Sequence, residues 1–120
     1  IDVTIKLQNG QILLGQEKFL SYSCNRFRSL TVEYYQNPIT KEPGDWFKLA
    51  PQIYFTGYCT QDDTTFFPWI IADWARIVYL SNAGKITWYD NHNQNGRARA
   101  SFKYTVMDRL PPECVIASKL

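Results

Sequence analysis

Between Gly96 and Tyr104 the chain reads Gly-Arg-Ala-Arg-Ala-Ser-Phe-Lys-Tyr. In an extended backbone successive side chains take opposite sides, so Arg97, Arg99, Ser101 and Lys103 share one face and Ala98, Ala100, Phe102 and Tyr104 the other. A row of cations two residues apart suits phosphate contacts. Arg26 and Arg28, in an earlier polar segment, would lengthen that row, and Trp88 or Tyr89 would offer a ring for a base to stack on. The same charges also suit an edge strand that must not pair with other chains. The glycine and spaced aromatic residues of the RNA-recognition motif are absent.

The second candidate is catalytic. His92, the only histidine, lies two residues from Asp90. An Asp-x-His pair can orient an imidazole as a general base or supply two metal ligands. Two ligands leave a transition metal short, so neither a metal nor a cofactor is expected. A third group would have to come from Cys59, Asp62 or Asp63, and acids beside a thiol raise its pKa and make it a poorer nucleophile. The chain carries no Gly-x-Ser-x-Gly elbow, no glycine-rich phosphate loop and no His-Glu-x-x-His. Gly44-Asp45-Trp46 has the Gly-x-Trp form found in lipocalins, but far from the first strand and without that family's other signatures, so no family is assigned.

Composition bounds these readings. The chain has 120 residues, enough for one domain with a core and no metal or disulfide staples. Its 13 basic and 11 acidic side chains leave a net charge of +2, too small for a long-range field toward nucleic acid or membrane. No apolar run is long enough to span a bilayer, so a soluble chain with no membrane partner is expected. The three cysteines, Cys24, Cys59 and Cys114, lack metal-binding spacing. Their odd number leaves at least one thiol unpaired, which favours a reducing, cytoplasmic setting over an extracellular one. Ile1 at the start suggests trimming, so a secreted or precursor-derived origin stays open.

The elements that would position these residues read mainly as strands. Aromatic side chains make up 16% of the chain, and they fit the pleated surface of a sheet. Residues 1–7 alternate strictly, and Asn9-Gly10 before Ile12-Leu13-Leu14 predicts a hairpin. Phe19–Cys24 and Leu30–Gln36 predict a further pair, separated by the polar segment from Asn25 to Ser29. Pro38, Pro43, Gly44 and Pro51 mark a long loop that Trp46, Phe47 and Leu49 would pin to the core. Residues 53–59 predict a strand with a bulge or close approach at Gly57. From Phe66 to Leu80 the pattern favours two short strands, while Pro68 allows a helix through Tyr79. Ser81–Gly84 is expected as a hairpin loop, Asp90–Gly96 as an exposed loop, and Ala98–Met107 as a long strand. Val115 and Ile116 would add a short closing element after Pro111-Pro112.

Together these predict an all-β domain, α+β if residues 68–80 are helical: a small antiparallel sandwich or barrel of about eight short strands. With every catalytic constellation incomplete, the expected function is a non-catalytic binding module for another protein, an interaction or inhibitor domain. Such a module should carry a contiguous exposed apolar patch centred on Tyr or Trp. Single-stranded nucleic acid or a phosphate ligand on the basic face is the alternative partner. A small enzyme centred on Asp90 and His92 is the third reading.

Overall fold

The computed structural model describes residues 3–37, 42–43, 51–92 and 101–120. In chain order the strands are β1 (Val3–Lys6), β2 (Ile12–Leu20), β3 (Ser29–Asn37), β4 (Glu42–Pro43), β5 (Ile53–Cys59) and β6 (Phe66–Asp73). The helix α1 (Trp74–Asn82) follows, then β7 (Tyr89–His92), β8 (Ser101–Val106) and β9 (Val115–Lys119). They form a five-stranded sheet in the order β1-β2-β5-β6-β9 and a four-stranded sheet in the order β4-β3-β8-β7. The described residues are therefore mostly β with one α-helix. The larger sheet stays open, because its end strands β1 and β9 do not pair with each other.

The N-terminal hairpin forms where Asn9-Gly10 predicts it, with Gly10 at φ 87° and the Gly10 amide donating to the Leu7 carbonyl at 3.0 Å. β2 then pairs with β5 in parallel, and every other strand pair is antiparallel. A parallel pair needs a crossover, and the chain from Ser21 to Gln52 supplies it while contributing β3 and β4 to the other sheet. Gly57 sits beside a register shift in the β5–β6 pairing, as its position in an apolar strand suggests.

Residues 66–80 resolve into both alternatives, a strand and then a helix. The change falls at Asp73, whose side chain accepts from the Arg76 amide at 3.1 Å and caps the first turn. Trp74, Ile77 and Leu80 bury one face, and that burial outweighs the few tenths of a kcal/mol by which Ile and Val disfavour a helix. The expected hairpin at Ser81–Gly84 is corrected: Gly84, at φ 74°, ends the helix, with its amide on the Ser81 carbonyl and the Lys85 amide on the Leu80 carbonyl. Left-handed glycine closes hairpins and helices alike, so the residue type could not distinguish them. Pro68 lies inside β6 and starts no helix. Asp90 to His92, expected in a loop, belong to β7. The segment before β3 is a 3-10 turn, Tyr22–Phe27. Trp46, Phe47, Leu49 and the Gly44–Trp46 motif lie outside the described residues.

The two sheets meet through an edge. Between Ser29 and Val32, β3 pairs only with β8, so every second backbone group points away from its own sheet. These groups meet two tyrosines on the inner face of β5. The Tyr58 hydroxyl accepts from the Ser29 amide at 2.9 Å and donates to the Ser29 carbonyl at 3.2 Å, while Tyr54 donates to the Thr31 carbonyl at 3.2 Å. An open strand edge is thereby capped inside the protein. Leu30 and Val32, on one side of that edge, join Tyr54, Ile70, Ala72, Met107 and the buried face of α1 in the core.

Thr56, between the two tyrosines on β5, is fully buried, and its hydroxyl has no hydrogen-bond partner among the described residues. A buried polar group without a partner carries its desolvation cost unrelieved. Thr56→Val is expected to raise stability by about 1 kcal/mol, read as a higher midpoint in urea at unchanged slope. A lower midpoint would mean that the hydroxyl has a partner.

Candidate functional site

Of the residues singled out by type and spacing, those the structure describes are spread over several segments. Arg97 and Arg99 lie outside the described residues. Lys103 sits on β8 opposite Val32 on one side and Asp90 on the other, so it shares its face with the core residues Leu30 and Val32. Its half-buried stem runs along that face, and its ammonium reaches the Asp90 carboxylate at 3.1 Å. Arg26 is placed by its backbone in the 3-10 turn. Arg28 is half-buried, with its guanidinium 5.6 Å from the centre of the Phe67 ring. Trp88 is half-buried, and its indole donates to the Ser81 hydroxyl at 2.8 Å, tying the segment after α1 to the helix. Tyr89 is exposed and packs on Tyr104 with ring centres 5.4 Å apart.

Asp90 and His92 lie two positions apart on β7, their backbones in register with Lys103 and Ser101. The Asp90 carboxylate engages Lys103. Among the described residues no three His, Cys, Asp or Glu side chains group as metal ligands. The three cysteines are unpaired. Cys114 is fully buried, its thiol donating to the Pro111 carbonyl at 3.0 Å, and burial pushes its pKa up, so it is held as the unreactive thiol.

Asp62 is committed to its own turn. Its carboxylate accepts from the Thr60 hydroxyl at 2.7 Å, the Thr64 hydroxyl at 2.8 Å and the Thr64 amide at 3.2 Å, and these bonds, led by Thr60, hold its pKa below the ordinary carboxylate value. A depressed folded pKa means the bonds contribute fully above the unfolded value and are lost as pH falls through the folded one. The Thr64 amide resonance should therefore keep its native shift through the ordinary Asp range and move only at more acidic pH. Movement centred at or above that range would contradict the arrangement.

The feature that residue type did not single out is the outer face of the larger sheet. Register places Phe19, Gly57 and Trp69 in one row across β2, β5 and β6, and Glu17, Phe55 and Ile71 in the next. Phe66 joins them, stacked on Phe19 at 4.9 Å and edge-on to Phe55 at 5.8 Å. Phe55 also lies 6.2 Å from Trp69 and 5.8 Å from Phe19. Gly57 makes room beneath: a Cβ there would come within 3.1 Å of the Phe55 ring. α1 packs on the opposite side, where Trp74 meets Tyr54. Phe19 remains 51% exposed, and Phe55, Phe66 and Trp69 are half-buried. The signal was present as near-continuous apolar sequence in β5 and β6, which marks strands apolar on both faces. Among the described residues no helix is long and apolar enough to cross a membrane. No family model, curated protein or solved structure matches the chain.

Proposed function

We propose that the protein is a non-catalytic binding module whose contact surface is the outer face of the five-stranded sheet, and that its partner is another protein. The carrying observation is the cluster of Phe19, Phe55, Phe66 and Trp69, in which three phenylalanine rings touch one another and Trp69 stacks on Phe55, on the sheet face opposite α1. Rigid rings give large contact area at little rotamer cost, and aromatic side chains near the centre of an interface carry most of its energy. Glu17 on β2 and Lys119 on β9 stand in register with Phe55 and Trp69, which puts charged groups around an apolar centre as protein interfaces do. A basic nucleic-acid face gains no comparable support, because Lys103 is engaged with Asp90 and Arg28 with Phe67.

The test is a photo-reactive phenylalanine analogue placed at Phe19 in one variant and at Tyr79, the 67% exposed residue on α1, in another. Position 19 should cross-link to a discrete protein in extract of the native source, and position 79 should not. With that protein purified, Phe19→Ser should weaken binding about 30-fold or more, as loss of an interface hot spot does, while Tyr79→Ser leaves it unchanged. Equal labelling from both positions, or equal losses in both variants, would remove the proposal.

A further inference from the structure

A second concavity lies on the other side of the larger sheet, and its lining is chemically unlike the aromatic face. It is a cleft of about 310 Å³ between the 3-10 turn, the end of β2 and the exposed side of β3 and β8. Leu20, Phe27 and Tyr104 supply apolar walls, and Cys24, Thr31 and Tyr58 supply polar atoms. Arg28, with its backbone in the left-handed region at φ 44°, makes the corner between Phe27 and Ser29, which both line the cleft. A non-glycine residue held there costs about 1 kcal/mol or more, and such residues concentrate at ligand sites.

The lining decides the class of ligand. No charged side chain lines the cleft among the described residues, so an ion would lose its hydration without compensation. The volume stands at the lower end for small-molecule sites. Three of the lining residues are aromatic, which suits a flat apolar body. The Tyr58 hydroxyl is committed to the Ser29 backbone, but among the described residues Thr31 Oγ1 has a single 3.4 Å contact, to Ser29 Oγ, longer than a good hydroxyl bond. Thr31 can therefore serve one hydroxyl or carbonyl of a guest. The Cys24 thiol, whose contacts among the described residues are long ones to Ser21 Oγ at 3.8 Å and Ser23 Oγ at 3.9 Å, faces the same space. We infer that this cleft binds a small neutral aromatic molecule bearing one hydrogen-bonding group, independently of the outer sheet face.

Cys24 reports occupancy directly. The full chain is alkylated with iodoacetamide, with and without 2-naphthol as the probe, and the rate at each cysteine is read by peptide mass mapping. Probe at ten times its dissociation constant should slow Cys24 about tenfold by simple occlusion, and leave Cys59, on the outer face, unchanged. The charged analogue 2-naphthalenesulfonate should not protect. Leu20→Trp, which fills the cleft, should abolish the probe's effect. Should that variant fail to melt cooperatively, Thr31→Val serves instead and should weaken the probe about fivefold, the worth of one hydrogen bond. Unprotected Cys24 at the solubility limit of 2-naphthol, equal protection of Cys59, or equal protection by the sulfonate would each overturn the assignment. Cys24, which reads the cleft, is not among the four rings of the cross-linking test, whereas Cys59 pairs with Phe66 on that face, so either proposal can fail alone.

Discussion

Ile77→Ala is expected to destabilise the protein by about 3 kcal/mol, lowering the melting temperature by roughly 10 °C. Ile77 is fully buried in the core, where α1 meets β5 and β6, and alanine removes three carbons from a site whose neighbours belong to rigid strands. The lost transfer energy and the remaining cavity both count against the folded state. The neighbouring substitution supplies the contrast. Val78 is 41% exposed, so Val78→Ala should change stability by less than about 0.5 kcal/mol. Leu80→Ala should again be costly, because Trp74, Ile77 and Leu80 recur at three-residue spacing along the buried face. In a strand Ile77 and Leu80 would stand on opposite faces, so only one of the two would be sensitive. Urea denaturation of the three variants decides between them.

Tyr58→Phe is expected to cost about 2–3 kcal/mol although it deletes a single oxygen and leaves the packing intact. The oxygen caps both the amide and the carbonyl of Ser29 and lies 3.1 Å from its hydroxyl, all within the protein interior. Without it an amide and a carbonyl on the open edge of β3 stay buried and unpaired, and that penalty exceeds the worth of an ordinary hydrogen bond. Tyr54→Phe removes the bond to the Thr31 carbonyl and should cost about 1 kcal/mol. Hydrogen exchange at the Ser29 amide provides an independent readout and should accelerate in Tyr58→Phe beyond the change in global stability. A ratio set by global stability alone would mean that the sheets are not joined through this edge.

The aromatic face and the cleft differ in how much of each could be read along the chain. Phe55, Gly57, Trp69 and Ile71 sit at alternate positions in β5 and β6, so their shared face follows from strand periodicity. Phe19 comes to them only through the parallel pairing of β2 with β5, a contact no local pattern announces. The cleft draws Cys24, Thr31, Tyr58 and Tyr104 from four segments and has no linear signature at all. Lys103 shows the reverse case. Alternation puts it on a polar face, but that face is the one β3 turns toward the core. Periodicity states which side chains are together and not which side the rest of the protein covers.

Strand content, the first hairpin and the bulge near Gly57 follow from the residues themselves, because alternation, Asn-Gly turns and missing side chains act over a few positions. Tertiary contact alone decided three matters: that Asp73 caps a helix instead of breaking a strand, that β2 and β5 run parallel, and that the edge of β3 is sealed by tyrosines. Each depends on surface buried between segments far apart in the chain, and burial energy carries no record of sequence distance.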